Sequence, residues 1–162
     1  MERGLGLDED TAVVCEEWGG ECEVMGGGGV WLLDLSSATT NSNPHWTCRG
    51  AATSYLTLGD KLDLQSWTVR YADWKTELTR DGGPPQRTDD VFGPAGQYGL
   101  VVESLLASHS NTSTGSTRQT SPLQYQLRFH RSQHTKAVSG ARPDTGSLVI
   151  SYQDLLVDFT WQ

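Results

Sequence analysis

Residues 11–35, "TAVVCEEWGGECEVMGGGGVWLLDL", decide which kind of fold this chain can adopt. Three short apolar stretches, "TAVVCE", "ECEVMG" and "VWLLDL", are separated by two glycine-rich intervals. This pattern is typical of strands joined by tight turns, because glycine accepts the positive φ that such turns require. Three strands at such short spacing predict antiparallel hairpins.

Farther along the chain, strand patterns continue and one helical pattern is present. Segment 54–70 alternates around a Gly-Asp pair and predicts a strand pair, and "LQYQLRFH", "SLVISY" and "LLVDFTW" predict terminal strands. Residues 89–108 carry the only good helical periodicity, in which one face is formed by Leu100, Val101, Leu105 and Leu106. Polar, turn-rich loops are predicted at 37–50, 80–87 and 110–122.

These patterns predict one unit that covers residues 1–162 and belongs to the α/β class with strands dominant. We divide it into a motif strand with hairpins (1–36), the strand pair (54–70), and a helix with terminal strands (89–162). No internal repeat is evident, and 162 residues are enough to bury a core.

Charge and hydropathy limit the classes of partner. The formal net charge is -8, whereas nucleic-acid binding needs a basic surface, so we expect no nucleic-acid partner. The longest apolar run is far shorter than the roughly 20 residues that cross a bilayer, so we expect a soluble chain with no membrane partner. The cytoplasm is favoured slightly, and secretion of an intact protein stays open.

The three cysteines predict neither a zinc site nor a disulfide framework. Cys15, Cys22 and Cys48 are odd in number and irregular in spacing, with no C-x-x-C pair. We therefore expect reduced, partly buried thiols.

Three further motifs point to chemistry only weakly. The D-T-G-S at residues 144–147 has the letters of an aspartic peptidase loop, but the polar segment before it favours a surface turn for Asp144. His130 and His134 have the i, i+4 spacing of metal ligands on a helix, but their segment begins as a strand and no third ligand is obvious. The glycines at 26–29 are not followed by the Lys and Ser/Thr of a phosphate-binding loop. We expect no metal and no cofactor.

The acidic run at residues 8–10 belongs to a longer phrase. "GLGLDEDTAVV" resembles the G-[IL]-G-[IL]-D-E-[DN]-T-A phrase of the cyanophycinase and dipeptidase E family of serine peptidases. "CEVMGGGGVWLLDL" and "SYLTLGDKLDL" are similar to two later blocks of that family, in the same order. The resemblance covers roughly residues 4–64.

This resemblance implies a role for one acidic residue. In the family a Ser on a G-x-S-A-G turn attacks the peptide carbonyl, a His takes its proton, and a Glu in the D-E phrase orients the His. Glu9 is the position similar to that Glu, which would hold the imidazole in the correct tautomer. Asp8 and Asp10 would be neighbours without a catalytic role, and Gly4 and Gly6 would let the chain pass close beneath a His-bearing loop.

The chain also departs from the family. It contains no G-x-S-x-G and no D-Q-H phrase, both of which precede the D-E phrase in the family. We therefore expect a C-terminal fragment, inactive alone, that forms the trailing strands of a three-layer α/β sandwich with a β-hairpin extension. Its partners would be a peptide substrate in the intact enzyme and a complementary N-terminal segment or a second copy.

The substrate class and two other functions stay open. The family includes enzymes for α-aspartyl dipeptides and enzymes that release β-aspartyl-arginine from cyanophycin. The main alternative is a non-catalytic β-rich binding or structural domain. An unrelated hydrolase that uses Asp144 or the histidines is a third hypothesis.

Overall fold

Strands make up most of the structure. The computed structural model describes residues 2–16, 20–93, 97–118 and 124–161. Within these ranges the elements, in chain order, are β1 (Arg3–Leu7), β2 (Thr11–Cys15), β3 (Glu21–Gly26), β4 (Gly29–Asp34), β5 (Thr39–Asn41), β6 (Thr47–Thr57), β7 (Lys61–Asp63), β8 (Thr68–Arg70), β9 (Thr76–Glu77), α1 (Gln97–Ala107), β10 (Thr112–Ser116), β11 (Tyr125–Ala141) and β12 (Leu148–Trp161). The prediction of a β-dominated chain is confirmed.

The strands form two antiparallel sheets. The large sheet has the order β1-β4-β6-β12-β11-β10, with β5 also paired to β6 and β9 also paired to β11. The small sheet has the order β2-β3-β7-β8. The chain passes from the large sheet to the small one between β1 and β2 and returns between β3 and β4. The first of these two connections carries the acidic run.

Each face of the large sheet has its own core. Val30 and Leu32 of β4 pack with residues of the small sheet, whereas Trp31 between them packs on the other face. That other face is covered by α1. The buried side chains of this second core include Val101, Val102, Leu105 and Leu106 from α1 and Leu127, Phe129, Leu155 and Val157 from β11 and β12. The large sheet therefore lies between the small sheet and the helix.

The strand predictions were right where apolar alternation is strong. β2, β3 and β4 match the three predicted strands to within a residue or so. The last two of the three predicted terminal strands are one continuous strand, β12. The predicted loop at 110–122 contains β10, which pairs with β11 and is hydrogen-bonded through its backbone to Thr88 and Val91. Residues 119–123 lie outside the described ranges, as do Trp18 and Gly19 of the first predicted turn.

The helix prediction was right in type and too long. α1 begins at Gln97, whereas residues 89–93 form turns. Val102 is fully buried, and Leu100, which we expected on the buried face, is 41% exposed. Among the described residues, no helix is long and apolar enough to span a membrane.

The cysteine prediction was wrong for two of the three residues. Cys15 and Cys22 form a disulfide between directly opposed positions of β2 and β3, with their Cα atoms 4.1 Å apart. Cys48 is a buried free thiol, as expected. Burial raises its pKa, and the nearby Asp158 carboxylate raises it further.

Candidate functional site

The acidic turn, residues 8–10, joins β1 of the large sheet to β2 of the small sheet. Asp10 adopts a left-handed conformation with φ 54°, which Asp tolerates better than most residues. The hydroxyl of Thr11 donates a hydrogen bond to the carbonyl oxygen of Glu9 at 3.1 Å. The turn therefore has a defined backbone shape.

Asp8 anchors the turn to the large sheet. Its carboxylate accepts hydrogen bonds from the Trp31 indole N–H (3.0 Å), the Tyr55 hydroxyl (2.6 Å) and the Gly29 backbone N–H (3.1 Å). Desolvation raises the pKa of Tyr55, and its hydrogen bond to Asp8 raises it further. Asp8 is thus a structural residue, both of whose carboxylate oxygens already accept hydrogen bonds.

The glycine run, residues 26–29, encloses the acidic turn. The backbone N–H groups of Gly27 and Gly28 donate to the Asp10 carbonyl oxygen (2.8 Å) and the Thr11 hydroxyl (3.1 Å). A Cβ on Gly28 would lie 2.7 Å from the Cβ of Asp8, so a side chain does not fit there. The glycine run is a turn, as predicted, and its donors are used by the acidic turn.

Arg142 holds the glycine run from the other side. Its guanidinium donates to the carbonyl oxygens of Gly27 (2.9 Å) and Gly26 (3.0 Å) and forms an ion pair with Asp144 (2.7 Å). The hydrogen bond from Arg142 lowers the pKa of Asp144 and raises that of Arg142. Asp144 is thus engaged in a turn near the surface, in agreement with the predicted surface turn.

Glu9, the predicted catalytic carboxylate, projects from this rigid turn. It is exposed, and within the described part of the chain its side chain forms neither a hydrogen bond nor an ion pair. Its neighbour Asp10 is exposed as well. The two carboxylates are therefore available to groups that this structure does not contain.

Among the residues that the structure describes, no histidine ring is hydrogen-bonded to Glu9. His130 lies on β11 with its ring 3.4 Å from Asp158, and His134 contacts the neighbouring Gln133 side chain. The ring of His45 lies against that of Trp161 at a tilt of 38°, with centroids 4.5 Å apart. In the described ranges no histidine ring is hydrogen-bonded to a serine, and no group of three His, Cys, Asp or Glu side chains could hold a metal ion. His130 and His134 lie on a strand, which confirms the objection to a helical metal pair.

A serine and a lysine do meet, but in the interior. Lys75 Nζ lies 3.0 Å from Ser151 Oγ and 2.7 Å from the Asp60 carboxylate. The side chains of Lys75 and Asp60 are fully buried, and so is Ser151. Burial lowers the pKa of Lys75, although Asp60 opposes that shift. Because no substrate can reach this cluster, we assign it a structural role.

The strand that leads into the acidic turn has an open face on the helix side. A Cβ added to Gly4 or Gly6 would make only ordinary contacts, 3.9 and 3.8 Å from side chains of β4. Together with Trp31, Leu33 and Thr53, these glycines line a shallow apolar groove. The described neighbours therefore do not require glycine at either position.

Comparisons of the chain with protein-family models, with curated proteins and with solved structures found no match. The resemblance to the cyanophycinase and dipeptidase E family therefore stays a prediction.

Proposed function

We propose that this chain is the C-terminal part of a cyanophycinase-like serine peptidase that acts on aspartyl peptides. In this proposal Glu9 orients a catalytic histidine that residues outside this chain supply. One observation carries the proposal. Within the described residues the Glu9 carboxylate forms no hydrogen bond, although the backbone of its turn is fixed by hydrogen bonds to Thr11 and to the glycine run.

A carboxylate that orients an imidazole needs a fixed position and free lone pairs. The contacts of Asp8 and of the glycine run supply the fixed position. Asp8 itself is unsuited to the role, since both of its oxygens already accept hydrogen bonds. The resemblance then selects Glu9 over the equally exposed Asp10.

The glycines of β1 support the same proposal. Glycine inside a strand lowers its stability and often marks a place where another backbone approaches closely. No described residue approaches Gly4 or Gly6 in that way. A His-bearing loop from outside this chain would fit over the groove and reach the acidic turn.

The proposal assigns this chain to the trailing strands and the β-hairpin extension of a three-layer α/β sandwich. The nucleophile elbow and its oxyanion hole would come from the remaining part, because the chain contains no G-x-S-x-G. We therefore expect the chain alone to hydrolyse nothing.

The test is to co-express the chain with the segment encoded upstream and to assay hydrolysis of α-aspartyl dipeptides and of β-aspartyl-arginine. We expect activity only in the combined protein. Glu9→Gln should lower kcat by about 10²- to 10⁴-fold, because the imidazole loses its orienting anion. Asp10→Asn, the matched control, should change kcat by less than about threefold. An unchanged rate in the Glu9→Gln variant, or hydrolysis by the chain alone, contradicts the proposal.

The second candidate is a non-catalytic β-rich binding or structural domain. In the described ranges no histidine ring is hydrogen-bonded to a serine, which favours this alternative. A folded combined protein that hydrolyses neither substrate would select this alternative.

A further inference from the structure

β1 is an edge strand of the large sheet, and in the described part of the chain no other strand pairs with its outer side. Asp8 N–H donates to the Gly29 carbonyl oxygen (3.0 Å), and Leu35 N–H donates to the Glu2 carbonyl oxygen. In an antiparallel pair every second residue is hydrogen-bonded to the residue opposite. The backbone N–H and C=O groups of Gly4 and Gly6, like those at Glu2 and Asp8, therefore face β4. The N–H and C=O groups at the odd positions between them point away from β4. They belong to Arg3, Leu5 and Leu7.

The opposite edge of the large sheet is covered. There Ser116 N–H donates to the Thr88 carbonyl oxygen (3.0 Å), and Val91 N–H donates to the Ser116 carbonyl oxygen (2.8 Å). Native proteins usually cover an edge strand, shorten it or block it with proline or charge. Within the described ranges β1 has no such cover and no proline. Its one charged side chain, Arg3, already forms an ion pair with Asp34 at 2.9 Å.

The side chains along β1 leave room for another strand. Leu5 and Leu7 are 39% and 52% exposed and lie on the face toward the small sheet. On the other face Gly4 and Gly6 carry no side chain at all. An incoming strand with apolar residues at alternate positions could cover both leucines.

The charges near β1 indicate the sign of the charge that a partner strand should carry. Besides Asp34, the acidic residues Glu2, Glu9 and Asp10 are close to its two ends in sequence, and the chain has a net charge of -8. A second copy paired antiparallel through Leu5 would place its own Glu2 opposite Asp8, which is unfavourable. A basic strand would meet the opposite charge at both ends.

We propose that β1 binds an extended, basic segment of another polypeptide by strand addition. Arg3, Leu5 and Leu7 exchange main-chain hydrogen bonds with the segment, whose apolar residues cover the two leucines. Its basic residues lie near Glu2 and the acidic turn. The inference does not depend on peptidase activity.

Amide hydrogen exchange of the full chain, followed by NMR, tests this inference. The probe is the acetylated and amidated peptide KVKVKVK, with EVEVEVE as the control of opposite charge. In the free chain the amides of Leu5 and Leu7 should exchange much faster than those of Gly4 and Gly6. Saturating KVKVKVK should slow Leu5 and Leu7 by about tenfold or more, and EVEVEVE should not.

Two variants keep the result interpretable. Leu5→Pro removes one main-chain donor and should abolish protection of Leu7 by the peptide. Glu2→Lys, which leaves the backbone groups intact, should weaken KVKVKVK binding by at least about threefold. The inference is overturned by a lack of protection at millimolar KVKVKVK, by equal protection from EVEVEVE, or by protection without peptide that rises with protein concentration and so reveals self-pairing.

Discussion

Replacing Asp8 with alanine should destabilise the protein far more than the same replacement of Glu9. The carboxylate of Asp8 accepts three hydrogen bonds, one of them a 2.6 Å contact from the Tyr55 hydroxyl. Each hydrogen bond to a charged group contributes about 1.5–3 kcal/mol, so the gross loss would be about 4.5–9 kcal/mol. Because Asp8 is only half-buried, hydrogen bonds from water can replace part of this contribution. We therefore expect the free energy of unfolding to fall by about 2–4 kcal/mol.

Urea unfolding followed by tryptophan fluorescence measures this loss. With a slope of about 2 kcal/mol per molar urea, the midpoint of Asp8→Ala should fall by about 1–2 M. Glu9→Ala is the matched control, because it removes the same charge from the same turn. Without side-chain contacts to lose, it should stay within about 0.5 kcal/mol of the parent chain. Equal midpoints for the two variants would refute the assignment of Asp8 as the anchor.

Three further predictions follow from the same contacts. Gly28→Ala should lower the free energy of unfolding by about 1–3 kcal/mol through the clash with the acidic turn, whereas Gly83→Ala, where a Cβ meets nothing within 4 Å, should be nearly neutral in the same urea assay. Desolvation raises the pKa of Tyr98 to about 12, so its contribution to the free energy of unfolding is complete below about pH 10 and is lost as the pH rises toward 12. This loss is at most about 3 kcal/mol. The fall in the urea midpoint between pH 8 and pH 11.5 should therefore be smaller in Tyr98→Phe than in the parent chain. Thiol titration of the denatured, unreduced chain should find one free thiol and not three. Replacing both Cys15 and Cys22 with alanine should lower the free energy of unfolding by up to about 2.5 kcal/mol, as expected for a disulfide that closes so short a loop.

Local sequence patterns were sufficient for part of the fold. The hairpins between residues 11 and 35 were predictable because apolar alternation and glycine turns lie within one short segment. β1 and β10 were not, because glycines interrupt β1 and because β10, "TSTGS", has no apolar alternation. Both are strands because they pair with another strand of the large sheet, β1 with β4 and β10 with β11. The disulfide was missed for a related reason, since it depends on the register of β2 against β3.

The acidic turn shows where prediction from sequence ends at the candidate site. The resemblance indicated only that Glu9 differs from Asp8 and Asp10. It could not show that Asp8 binds Trp31 and Tyr55, which lie 23 and 47 residues away. No local pattern specifies such a contact. Whether a histidine reaches Glu9 is a question that the combined protein will answer.

The contact of Arg142 with the glycine run has a consequence for protein synthesis. Arg142 lies 115 residues after Gly27, whose carbonyl oxygen it binds. Because a nascent chain leaves the ribosome from its amino-terminal end, the acidic turn emerges long before its last restraint has been translated. The turn that presents Glu9 can therefore reach its final rigidity only late in biogenesis, when the hairpin between β11 and β12 closes.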